Sequence, residues 1–142
     1  MTDFDGIVQA LFTLASGSAA YATTGRRVCL MQEITEFPAL FVATTGLAYA
    51  PREVRGLPPK RTIAAEIWIY SDAGKDADAV PETALFGLLS ALETALAPSP
   101  VSGVQTLNGL VSHAWIEGQT EIFPGVIGGV AMAIVPIRIL VP

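Results

Sequence analysis

Few side chains in this sequence can do chemistry, and their spacing decides against most reactions. Cys29 is the one thiol and His113 the one imidazole in 142 residues. A thiolate nucleophile needs a base beside it, yet the two fall on separate predicted strands and nothing in the sequence joins them. They read as a core cysteine and a hydrogen-bonded histidine. Asp72, Gly74, Asp76 and Asp78 imitate alternate ligand positions of an EF-hand loop, but Ala77 stands where the turn needs Gly and Thr83 where the ion needs a bidentate Glu. No calcium site is expected. The run reads as an acidic loop feeding a helix N-terminus, where carboxylates meet the positive end of the dipole.

Glu66 is a lone carboxylate on an apolar stretch. It can pair with an arginine of a neighbouring strand or subunit, but it forms no acid/base pair. The Gly-rich run 125–129 precedes a strand, so it offers phosphate no helix N-terminus. Nucleophile elbow, Walker loop, dinucleotide fingerprint and Cys-x-x-Cys are all missing from the sequence. The expectation is therefore no enzyme, with no catalytic residue, no metal and no cofactor. One alternative is a small-ligand cleft on the strand that carries His113, Trp115 and Glu117.

Charge narrows the partners. The net charge is −5, and nucleic acid is not expected, because phosphate contacts need clustered Lys and Arg. The distribution is uneven. Arg26, Arg27, Arg52, Arg55, Lys60 and Arg61 face only Glu33, Glu36 and Glu53 within 26–61, whereas Lys75 and Arg138 stand against ten acids elsewhere. A single cysteine leaves the fold independent of oxidising conditions. The start, Met1-Thr2-Asp3-Phe4-Asp5, lacks the basic region of a secretion signal, so folding is expected in the cytoplasm. Residues 122–142 are long and apolar enough to span a bilayer. Pro124, Pro136 and three glycines interrupt them, and they read as a buried C-terminal strand with no membrane partner.

The elements that must position these residues begin with a stretch at 61–71. Ile63, Ala65, Ile67 and Ile69 alternate with Thr62, Ala64, Glu66, Trp68 and Tyr70, which predicts a strand with an apolar face and a mixed face. It reads as the centre of one sheet. Before it, Phe4, Ile7, Val8, Leu11 and Ala15 recur at helical spacing over 5–16, with Asp3 as N-cap and Gly17 as stop. Residues 17–25 read as a mobile connection. Residues 27–34 and 39–45 read as an antiparallel pair turning at Glu36-Phe37-Pro38. Residues 46–60 are too rich in Pro and Gly for a regular element and read as a long basic loop, a candidate partner surface.

Pro81 opens a second helix. Its leucines at 85, 88, 89, 92 and 96 form one stripe, whose burial contributes on the order of 7 to 15 kcal/mol gross, before ordering entropy. Phe86 falls off that stripe and covers either a loop or a subunit contact. Strands at 110–117 and 129–141 close the chain, with Pro136 demanding a bulge or an edge. The whole reads as a single α+β domain over 1–142, in the order α-β-β-β-α-β-β. It is expected to be an antiparallel or mixed sheet of about five strands with two helices on one face.

Several segments carry a family likeness: Glu36-Phe37-Pro38-Ala39-Leu40-Phe41-Val42, Thr45-Gly46-Leu47-Ala48-Tyr49, Ala65-Glu66-Ile67-Trp68-Ile69, and Val80-Pro81-Glu82 before a helix. In these segments and their order the sequence resembles the tail terminators of long-tailed bacteriophages, the minor tail protein U family, over about residues 5–96. From Thr106-Leu107-Asn108-Gly109 to Trp115-Ile116-Glu117-Gly118 it looks more like small neck and tail-completion proteins of prophages, so terminator and other head–tail connector both stay open. The resemblance implies a virion structural protein that forms a ring, a hexamer, on the tail tube. It would end polymerisation and meet the head, with tube protein and connector protein as partners. It transfers no active-site residues. A head-to-tail ring needs two complementary patches on one subunit. The expected contacts are Arg52, Arg55, Lys60, Arg61, Glu66, Trp68, Tyr70 and Phe86.

Overall fold

The computed structural model describes residues 2–51, 60–72, 80–123 and 129–142. Helix α1 covers Phe4–Ser16, and strands β1 (Thr23–Gly25), β2 (Ala39–Tyr49) and β3 (Arg61–Asp72) follow. Helix α2 (Pro81–Ala95) then precedes β4 (His113–Ile116), β5 (Glu121–Phe123) and β6 (Val130–Val141). The strands form one mixed sheet ordered β1-β2-β3-β6-β4, with β5 also on β6. Both helices lie on one face of it. This is the α+β class expected, with six strands in place of about five.

β3 is the central strand. Each of its residues, Arg61 to Asp72, faces one of β6 in antiparallel register, and β2 flanks its other side. Its alternation resolves as predicted: Ile63, Ala65, Ile67 and Ile69 are buried under the helices. From α2 the stripe supplies Leu85, Leu92 and Leu96 to the core, while Leu88 and Leu89 are half-buried at its margin. From α1 it receives Ile7, Val8, Leu11 and Ala15. The cap on α1 is also as expected, since the Gly6 N–H donates to Asp3 Oδ1 at 2.9 Å. A Cβ at Gly6 would crowd that carboxylate, so a larger residue there would push the Asp3 side chain off the cap. Gly17 does not stop the helix by a left-handed turn. Its φ is −83°, and its N–H donates to the Thr13 carbonyl.

The expected antiparallel pair is corrected. Residues 27–34 form no strand apart from a single 3₁₀ turn at Met31–Glu33, and β1, inside the supposed mobile connection, pairs parallel with β2. A parallel neighbour needs a crossover, and residues 26–38 supply it across the helix-free face. There Ile34 is buried, and Val28, Cys29 and Phe37 pack with it over Phe41 and Tyr70. The apolar residues that suggested a strand are a lid on the sheet instead. The loop at 46–60 is shorter than expected, because Gly46 to Tyr49 continue β2 against β3 through an irregularity at 44–46. Residues 52–59 lie outside those described.

Pro136 sits in an inner strand without a bulge on its β3 side, opposite Glu66. Its carbonyl accepts from Glu117 N, so its missing N–H points the same way, into the gap between β4, which pairs 137–140, and β5, which pairs 132–134. No ladder bond is lost there.

Two measurements check this layout. Leu92→Ala, at 1% exposure, is expected to lower unfolding free energy by about 2–5 kcal/mol in denaturant titration, whereas Phe86→Ser on the exposed side of α2 changes it by no more than about 0.5 kcal/mol. Burial pushes the Tyr21 phenol up to about 12 from 10.0. The unfolded chain therefore ionises first as pH rises above about 10, and stability is expected to fall between pH 10 and about 12. In Tyr21→Phe that part of the alkaline loss disappears.

Candidate functional site

The helix-free face of the sheet is a broad surface that the helix-side core does not use. Because side chains alternate, β6 presents Met132, Ile134, Pro136, Arg138 and Leu140 there, all half-buried, beside Ala64, Glu66 and Trp68 of β3. β4 adds His113 and Trp115 across from Leu140 and Arg138. Among the described residues, the 26–38 crossover covers the end of this face that holds Phe41 and Tyr70, with Trp68 and Met132 packed at its margin. Apolar area remains beyond it, and contiguous patches of that kind mark contacts with other molecules.

Several polar groups on the face are paired. Trp68 Nε1 donates to Glu66 Oε2 at 3.0 Å, so the lone carboxylate of the sequence holds an indole in place. Arg138 Nε donates to Glu117 Oε2 at 3.1 Å, with both side chains substantially exposed. Such pairs contribute little. His113 Nδ1 accepts from the Gln105 N–H at 3.1 Å, which places the proton of the neutral ring on Nε2. The ring stacks on Trp115 at 5.0 Å between centroids. An open cleft of about 620 Å³ beside them is lined by His113, Trp115, Ser90, Glu93 and Thr94.

The expected contact residues fall in several places. Glu66 and Trp68 share the outer face. Tyr70 does not join them in the open: it is 2% exposed beneath the crossover, and its hydroxyl donates to the Cys29 carbonyl. Desolvation raises its pKa above 10.0. Arg61 is committed within the chain. Its Nη1 donates to Thr2 Oγ1 at 2.8 Å, its Nη2 to the Pro142 carbonyl at 2.7 Å, and its guanidinium lies over the Phe4 ring. Phe86 is exposed on the helix layer, the opposite side from Trp68. Lys60 is exposed where β2 and β3 leave the sheet, and Arg52 and Arg55 lie outside the described residues.

The structure also separates the thiol from the imidazole. Cys29 lies near Tyr70, and His113 lies level with Thr62, about 26 Å apart along β3 at roughly 3.3 Å per residue. Among the described residues, no group of three or more His, Cys, Asp or Glu gathers as metal ligands, and no helix is long and apolar enough to cross a membrane. Residues 73–79 of the acidic loop lie outside the described residues.

Sequence reasoning missed Ile134, Leu140 and Arg138, because β6 read as apolar on both faces and therefore deep. The available signal was Pro136 and Arg138, which share one face and mark it as the less enclosed. No protein-family model matches the chain, and no curated protein matches it. Arg61 provides a local test. Arg61→Met removes both hydrogen bonds and the cation over Phe4, and it is expected to cost about 1–3 kcal/mol of stability, read by denaturant melts.

Proposed function

We propose that this chain is a structural subunit of a long-tailed phage tail, of the terminator type, which closes as a ring on the tail tube, ends its growth and takes part in joining the head. It would act in the virion tail after folding in the host cytoplasm, and not as an enzyme. The observation that carries the reading is the outer sheet face around Ile134, Pro136 and Leu140, largely apolar and, among the described residues, without a helix layer. A subunit of an assembly needs such area, and a small monomer does not. The Phe-Pro-Ala and Ala-Glu-Ile-Trp segments and their order, quoted above, direct the reading to this family.

Another neck or head-completion connector would use the same face, and the position of the chain on the particle separates the two. A ligand-binding reading rests on the His113–Trp115 cleft. Thermal shift against a metabolite and metal panel addresses it, and silence across the panel retires it.

Deleting the gene from the genome that encodes it is expected to give tails of unregulated length that fail to join heads in electron micrographs. Normal tails on filled heads would sink the proposal. Reversing Arg52, Arg55 and Lys60 to Glu is expected to leave the subunit's Tm within a few degrees while blocking assembly on tubes, since charge complementarity bears more on association than on folding.

A further inference from the structure

Among the described residues, the sheet has an unpaired edge. β1 pairs only with Ala39, Leu40 and Phe41 of β2, and among the described residues nothing pairs with the same side of 42–49. Exposed, unpaired strand edges are normally blunted by Lys, Pro or inward charge. This one runs Val42-Ala43-Thr44-Thr45-Gly46-Leu47-Ala48-Tyr49 without a charge, and its one defence is the irregularity at 44–46. Beside it, on the helix side of the sheet, lies a pocket of about 260 Å³ lined by Phe4, Val8, Leu47 and Ile63, with the Arg26–Asp5 ion pair at its rim. A free edge next to an apolar pocket is the arrangement by which a sheet accepts an added strand: the backbone supplies hydrogen bonds, and the pocket takes one side chain.

A second copy of this chain carries a strand that fits. β5 lies at the opposite margin of the same sheet, bonded to β6 on one side. Ile122 faces Ala133, which is buried in the core cluster, so Ile122 belongs to the helix side and is still 39% exposed. Laid edge to edge with helix sides aligned, it meets the pocket. Charge agrees as well. Exposed Arg27 and Lys60 lie toward the β2 edge, and exposed Glu121 and Glu93 toward the β5 edge.

We propose that β5 of one copy adds to the 42–49 edge of β2 in the next, seating Ile122 in the Phe4/Val8/Leu47/Ile63 pocket and pairing Glu121 with Arg27. The contact is heterologous, each copy offering a different edge, so it propagates head to tail. It rests on the ring reading above and names the surfaces that would build the ring.

The test is site-directed cross-linking in a Cys29→Ser background, with circular dichroism to verify folding. Leu47 and Ile122 are both more than a third exposed, so cysteine is tolerated at each. Leu47→Cys mixed with Ile122→Cys and treated with a short bismaleimide is expected to give a covalent dimer, and the double variant a ladder. Leu47→Cys mixed with Val101→Cys, which lies on an exposed loop, gives only background. Arg27→Glu abolishes the ladder, and adding Glu121→Arg restores it. Light scattering on the same concentrated samples separates the failures. Oligomers without a 47–122 cross-link overturn this pairing and leave the ring reading standing. A chain that stays monomeric and uncross-linked overturns the pairing too. A ladder alongside normal tails in the gene deletion keeps the pairing and sinks the tail function.

Discussion

The two ladders on β3 constrain everything else. Its twelve residues face β6 in unbroken register from Arg61↔Val141 to Asp72↔Val130, and β2 occupies the other side from Tyr49 back to Ala39. Over Arg61–Tyr70 the strand is paired on both sides, so β3 cannot shift without breaking both ladders. Its partner β6 comes from the far end of the sequence, with α2, β4 and β5 between them. Closing that separation costs loop entropy before any contact returns it. The leucine stripe of α2, packing on β3 and β6 together, ties the two strands from above. Arg61 ties them at the end by reaching both Thr2 and the Pro142 carbonyl.

From that centre the two faces diverge. The inner face is closed by two helices, and every β3 and β6 residue pointing there is buried apart from Arg61 at its end. Among the described residues, the outer face receives the 26–38 crossover, forced by the parallel placement of β1. The crossover is short, so it closes one end over Phe41 and Tyr70, reaches Trp68 and Met132 at its margin, and leaves the far end around Ile134 and Leu140. The half-burial of Trp68, Ile134 and Leu140 thus follows from topology.

Much of this was legible in the residues. Period-two alternation at 61–71, the Asp3 cap, the Pro81 start and the leucine stripe each have a local cause that acts the same way in isolation, and each appears in the structure. What could not be read depended on partners. Residues 27–34 carry strand-like apolar residues, yet those side chains are used to cover Tyr70, whose face is decided by β3 pairing far along the chain. β1 and β5 are three residues each, too short for any period to register. β6 read as buried on both sides because Val, Ile and Leu fill either face of a strand equally well, and only the missing helix layer tells them apart. Arg61 read as a surface cation for the same reason. Its number in the alternation puts it on the inner face, where Phe4 and the Pro142 carbonyl wait for it.

Edge and face need not compete for partners. The side-chain period of a strand is two, so a one-residue slip in any added strand would turn Ile122 away from the pocket and direct the Glu121 carboxylate or the bulkier Phe123 ring toward it. A carboxylate against Phe4, Val8 and Ile63 would lose water without a partner, so the pocket itself selects the register that keeps helix sides together. In that register the outer faces of successive copies also lie on one side. The apolar strip through Trp68, Ile134 and Leu140 then continues from copy to copy, with the helix layers, and Phe86 on them, kept on the other side. Pairing through the edges would therefore enlarge the outer surface instead of consuming it, and a sheet with a long neutral edge beside a half-covered face is suited to both contacts at once.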